Sequence, residues 1–254
     1  MNIVQIINLG AYMANHALLN NIEHKNLRVI TERSAQYGDN KMCSLVFPFE
    51  FKHVQAHYPI LFHKNISTGE FSAVALFGFE ENQNLFLKDQ NWDADYIPLM
   101  VEREPFLIGY QEATEDGKSI KKSVIHIDLD NPRISETQGT PLFLEHGGST
   151  DYLSRASAIL KTIEDSRGST QLFADAIKKH DLLEPLNVDI TLGDGSSHRL
   201  SGYYALNQDK LTALDADALV ELNQSGMLMI LYMVIASQEH IRTLAARKDK
   251  LTKK

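Results

Sequence analysis

A chain of 254 residues with 43% hydrophobic and 23% charged content can bury a substantial core, as one large domain or two small ones. Its formal charge of −8 excludes a general nucleic-acid binder, which needs a concentrated basic face, and its one cysteine, Cys43, excludes an internal disulfide framework. The first twenty residues carry no basic segment followed by an apolar run, and the longest apolar run, Met227 to Ala236, is about half of a bilayer-spanning helix. The expectation is a cytoplasmic protein with no membrane span.

Residues 1–26 read as a lead-in, weakly helical or mobile. Leu27–Ile30 is a short strand candidate, and a polar loop through Tyr37-Gly38-Asp39-Asn40 follows. Residues 47–106 then concentrate most of the phenylalanines, the single tryptophan Trp92, four of the seven prolines and three of the ten histidines, so the fold is expected to assemble around them. Within this module Pro48 opens a helix of about two turns that ends at Tyr58, because Pro59 disfavours helical geometry in the residue before it. Strands are predicted at 60–62, 71–79 and 84–87, with Gly78 marking a bulge or a close backbone approach.

Phe106–Tyr110 and Ser123–Leu129 pair as a hairpin around the turn 114–118. From Ser149 the periodicity changes to that of helices. One carries Leu153, Ala156, Ile159, Leu160 and Ile163 on a single face, capped by Ser149 or Thr150 and broken at Gly168. A second runs towards Leu182. A hairpin of 188–192 with 198–204 precedes two further helices, 210–224 and 226–247, and a basic tail at 248–254 reads as solvated. The architecture implied is α+β, a mainly antiparallel sheet from the first half packed with helices from the second, in a single domain over 27–247.

Three constellations offer chemistry. His53 and His57, at i and i+4, present two imidazoles on one helix face, with Glu50 or His63 as a third metal ligand; no Cys or clustered carboxylate accompanies them, and an exposed His pair on an amphipathic helix is the plainer account. His126 and Asp128 project from one face of a strand, and with His198 they have the composition of a non-haem Fe(II) facial triad. The plain alternative is a strand-end carboxylate that caps a turn with Asn131. The loop from Asn91 to Pro98 places Trp92 and Tyr96 beside Asp93 and Asp95, with Arg103 following, a composition suited to a peptide or protein ligand. Trp92 and Tyr96 can equally cover a core edge while the acids stay solvated. No phosphate-binding glycine loop and no nucleophile elbow is present. The apolar helix at 226–247 is either buried or a surface for oligomerisation.

The ordered set E-F at 50–51, H-Y-P-I-L-F at 57–62, A-L-F-G-F at 75–79, N-L-F at 84–86, W at 92 and Y-I-P at 96–98 resembles the SapC family of bacterial proteins. The likeness continues through P-F at 105–106, I-D at 127–128, G-T-P-L-F at 139–143, D-L-L-E-P at 181–185, D-G at 194–195, L-S-G-Y-Y at 200–204 and G-M-L-M-I-L-Y at 226–232. The resemblance implies no catalytic residue and no cofactor. It implies an accessory protein associated with TonB-dependent receptors and halogenase-like proteins, or, following the family name, a surface-layer component. The leading expectation is a non-catalytic binding protein. The alternatives are a metal-dependent enzyme using Fe(II) at His126, Asp128 and His198, and an assembly component.

Overall fold

Turn-formers divide the chain into short elements, which the computed structural model describes over residues 15–115, 118–193 and 195–252. After β1 (His16–Leu18), β2 (Arg28–Val29) and β3 (Cys43–Leu45) comes the short helix α1 (Phe51–Val54), then β4 (Ile60–Lys64), β5 (Phe71–Leu76), β6 (Leu87–Lys88) and β7 (Asn91–Trp92). Helix α2 (Leu99–Glu102) leads into the long hairpin of β8 (Phe106–Glu115) and β9 (Lys118–Asp128), followed by β10 (Ile134–Ser135) and β11 (Thr140–Pro141). Helices α3 (Asp151–Asp165) and α4 (Arg167–Lys179) precede a second hairpin, β12 (Leu183–Thr191) and β13 (Ser197–Leu206). Last come α5 (Gln208–Thr212), α6 (Ala216–Gln224), α7 (Met227–Ser237) and α8 (His240–Thr252). The class is α+β, as the sequence indicates.

These elements form two compact units, one from residues up to 38 with 101–165, the other from 39–100 with 166–254. In the first unit β1 and β8 flank β9, and β10 and β11 flank β2, all antiparallel. Val29, Phe106, Ile127 and Leu142 close its core with Leu153, Ala156 and Leu160 from the apolar face of α3. Thr150 caps that helix as expected: its hydroxyl accepts from the Leu153 amide at 3.3 Å. The lead-in prediction is partly replaced, since residues 16–18 add a strand to β9; residues 1–14 lie outside the described residues. Arg133 is buried and donates to the carbonyls of Ile30 (2.8 Å) and Glu32 (2.7 Å), which stitches the loop after β2 to the turn after β9.

The second unit is built on a five-stranded antiparallel sheet in the order β12-β13-β4-β5-β3. Its β12–β13 hairpin comes from the second half of the chain, so sheet and helix are less segregated along the sequence than expected. Pro185 is tolerated inside β12 because β12 is an edge strand. In a flat sheet β13 and β3, three positions apart, would be separated by about 14 Å. The Tyr203 hydroxyl on β13 nevertheless lies 3.7 Å from Sγ of Cys43 on β3, so the sheet curls on itself. Burial pushes the Cys43 thiol above its ordinary pKa, partly offset by that hydroxyl, which marks it as a packed thiol rather than a nucleophile.

The predicted helix 210–224 is two helices, because Asp215 turns its carboxylate to the Ala218 amide (2.8 Å) and starts α6 afresh. Gly168 lies inside α4, and the break falls at Ser166 instead. The basic tail is helical to Thr252, with Lys248 3.0 Å from Glu80. Among the described residues no single helix is long and apolar enough to cross a membrane. The pair 216–224 and 227–251, bent by 94°, reaches that length only when joined.

Candidate functional site

The loop after β7 is an irregular segment of the second unit that is held at several points. Pro48 starts a 3-10 turn ending at Glu50, which is only 1% exposed, and the Glu50 carboxylate accepts from the Phe47 amide at 3.0 Å. The same carboxylate accepts from the Tyr96 hydroxyl (2.7 Å) and the Leu99 amide (3.1 Å), some fifty residues along the chain. A buried carboxylate is tolerated only when its lone pairs are filled, and here backbone and side-chain donors fill them.

Tyr58, at the end of the helical segment, provides the second anchor. Its hydroxyl donates to the Tyr96 carbonyl and accepts from Nε1 of Trp92 at 2.6 Å. Around it pack Phe77 (5.3 Å), Phe86 (4.6 Å) and Trp92 (6.5 Å), and Trp92 meets Phe77 edge-on at 5.1 Å. Burial raises the Tyr58 phenol well above its usual pKa, so it remains a neutral donor.

A third anchor comes from α8. Arg247 lies 4.4 Å above the Phe86 ring and donates to Oδ2 of Asp93 (2.7 Å) and to the Asp93 carbonyl (3.0 Å). The guanidinium holds the Asp93 carboxyl below the ordinary carboxylate range. Above these anchors sit exposed Asp95 and half-buried Tyr96, with exposed His53 stacked on the Tyr96 ring at 5.2 Å. His57 is beside them, and His240 reaches the Gln55 carbonyl through Nε2 at 2.9 Å.

Burial holds the His57 imidazole below its ordinary value of 6.5; Asp95 opposes the shift, and His240 and Arg247 reinforce it. The folded protein therefore binds this proton less readily than the unfolded chain. The stability His57 contributes is complete above about pH 6.5 and is lost as pH falls through the lower folded value. The melting temperature is expected to fall between about pH 7 and about pH 5, and His57→Gln to flatten that slope. An unchanged slope in the variant would assign the acid sensitivity to other groups.

Of the five residues the sequence singles out for binding, Asp93, Asp95 and Tyr96 form this surface. Trp92 lies beneath it, 9% exposed, with its indole N–H committed to Tyr58, so it supports the loop and offers no open ring face. Arg103 belongs to the first unit, where it is buried and donates to the Phe106 carbonyl at 2.6 Å; burial lowers its pKa, with Glu104 opposing. Arg247 and His240 gave no local signal in the sequence, because only tertiary folding brings α8 to a loop some 150 residues earlier.

The metal candidates find other roles. The His126 ring packs so closely over Gly109 that a Cβ there would overlap it, and Oδ1 of Asp128 accepts from the Asp130 amide at 3.2 Å, the turn-capping role. His198, in the second unit, has Nδ1 3.0 Å from Glu80. Glu50 is committed to the loop, and His63 meets the edge of the Tyr203 ring at 6.2 Å. Among the described residues no group of three or more His, Cys, Asp or Glu is placed to hold a metal ion.

No curated protein and no solved structure matches this chain. The SapC family model matches residues 19–244, which run from just after β1 through the aromatic module, both long hairpins and the helices as far as the first turn of α8. The chain belongs to the SapC family.

Proposed function

We propose that this chain is a non-catalytic binding protein that recognises a peptide or a partner protein at the surface of Asp93, Asp95, Tyr96 and His53. The observation that carries this reading is how the loop is held. Loops outside regular structure are ordinarily the mobile part of a fold. This one is pinned by Arg247 at Asp93, by Tyr58 at the Tyr96 carbonyl and by Glu50 at both the Tyr96 hydroxyl and the Leu99 amide. Asp95 and His53 stand exposed on that rigid base.

A surface fixed before its ligand arrives loses little conformational entropy on binding. A tyrosine flanked by polar groups supplies both contact area and hydrogen bonds. The partner belongs, in this reading, to the TonB-dependent receptor and halogenase-like systems that the family resemblance implies, and the encounter takes place in the cytoplasm. The test is calorimetric titration of each candidate from those systems against the wild-type chain and the double variant Asp95→Ala/His53→Ala. Both positions are exposed, so the variant should melt like the wild type while binding at least about tenfold more weakly. Equal affinity of the two proteins for a bound candidate would remove this surface from the account.

A further inference from the structure

A cleft of about 240 Å³ opens beside the small sheet β10-β2-β11 of the first unit. Its lining carries two cations, Lys25 and Arg28, and two carboxylates, Glu136 and Glu145, together with the apolar side chains of Phe143 and Leu144. Opposite charges gathered around one small space attract one another strongly enough to pair when their side chains can reach. Here they do not: among the described residues none of the four forms an ion pair. Only Arg28 has a hydrogen-bonded side chain, its Nη1 donating to the Gly139 carbonyl at 3.0 Å.

The charges are mounted on braced backbone. Arg28 stands on the central strand β2, and the other three stand on or beside separate turns. Lys25 follows a turn in which Oδ1 of Asn20 accepts from the Ile22 (3.0 Å) and Glu23 (2.9 Å) amides, and the His24 carbonyl accepts from the Leu27 amide at 3.0 Å. Glu136 lies in a turn where Oγ of Ser135 accepts from the Thr137 (3.2 Å) and Gln138 (3.0 Å) amides. That turn closes at Gly139, whose φ of 89° favours glycine and where a Cβ would stand 2.4 Å from the Val29 carbonyl oxygen. Glu145 lies in a turn closed by the Gly147 amide donating to the Leu144 carbonyl at 2.9 Å. Asn21 donates through Nδ2 to the Gly147 carbonyl at 2.9 Å and so ties the first turn to the third.

We propose that this cleft binds a small zwitterion with an apolar body, a free α-amino acid or a dipeptide. Its carboxylate meets Lys25 and Arg28, and its ammonium meets Glu136 and Glu145. The lining selects that class by elimination. A phosphate or other simple anion would meet two carboxylates, and a polyamine or metal cation would meet two cations. An uncharged ligand would strip water from four charges without replacing it. A zwitterion answers both signs, and Phe143 with Leu144, itself 55% exposed, receives its side chain. The volume is below the roughly 300–1,000 Å³ of sites for drug-sized ligands, which limits the occupant to amino-acid or dipeptide size. The cleft belongs to the first unit and the Asp93–Tyr96 surface to the second, so neither reading rests on the other.

NMR titration of the isotope-labelled full chain with leucine and with leucyl-leucine tests it. At least one of the two is expected to saturate, with shifts at the Gly139 and Gly147 amides, and the tighter of them separates an amino-acid source from a dipeptide source. N-acetylation of that binder removes its ammonium and amidation removes its carboxylate. Each should weaken binding at least about tenfold. The double variant Lys25→Ala/Glu145→Ala changes two exposed side chains without partners among the described residues. It should therefore melt like the wild type and also bind at least about tenfold more weakly. Failure of both zwitterions to bind at about 10 mM overturns the proposal. So does equal affinity for a blocked form, or a double variant that binds like the wild type.

Discussion

Replacing Glu50 with alanine is expected to remove about 3–5 kcal/mol of stability. The carboxylate is buried, and its loss strips the Phe47 amide, the Tyr96 hydroxyl and the Leu99 amide of their acceptor at once. Orphaned buried donors carry the full desolvation penalty, which is why the effect exceeds that of an ordinary hydrogen bond. Glu50→Gln keeps one oxygen but turns an N–H2 group towards donors, so it should recover only part of the loss. Urea unfolding monitored by circular dichroism reads both variants. A Glu50→Ala protein within about 1 kcal/mol of the wild type would mean that water or a rearranged side chain satisfies those donors.

Trp92→Ala is the second large change, expected to destabilise by about 3–5 kcal/mol through the cavity it leaves among Tyr58, Phe77 and Phe86. The Tyr58 hydroxyl also loses a donor there. Trp92→Phe retains most of the ring contact and forfeits only the N–H, so a loss of about 1–2 kcal/mol is expected. Because Trp92 is the only tryptophan, its fluorescence reports this cluster alone. The wild type should emit as a buried indole and shift to the red in the same transition that circular dichroism follows. A red emission in the native protein would contradict the packing described here.

The contrast between those two residues shows what local sequence carries. Trp92 is conspicuous because tryptophan is rare, but conspicuousness does not separate a ring that meets a ligand from one that closes a core. Its N–H had to find a partner, and that partner, Tyr58, lies 34 positions away. Glu50 was legible only as a metal-ligand candidate, since the donors it serves arrive from residues 96 and 99.

Periodic elements are legible in the sequence. The apolar face of α3, the long β8–β9 hairpin and the close approach at Gly78, where a Cβ would collide with the Gln83 backbone, follow from spacing and steric size. Segments governed by short polar side chains are less legible. Residues 84–87 look like a strand, but Asn84 donates to the Asp39 carbonyl at 2.8 Å and accepts from the Phe86 amide at 3.0 Å. Only Leu87 and Lys88 are left to pair, with Trp92 and Asn91. The helix 226–247 divides at 238–239 without proline or glycine to announce it.

The central claim is that the loop from Asp93 to Tyr96 is a rigid surface built to receive another polypeptide. Site-specific photocrosslinking in the cell of origin tests it most directly, with a photoreactive amino acid placed at Asp95 and, as a control, at Ile66. That residue is 98% exposed at the tip of the β4–β5 turn. The account predicts a discrete protein adduct from Asp95 that is absent from Ile66. Adducts of the same identity from both positions, or none from Asp95 in a folded chain, would contradict it.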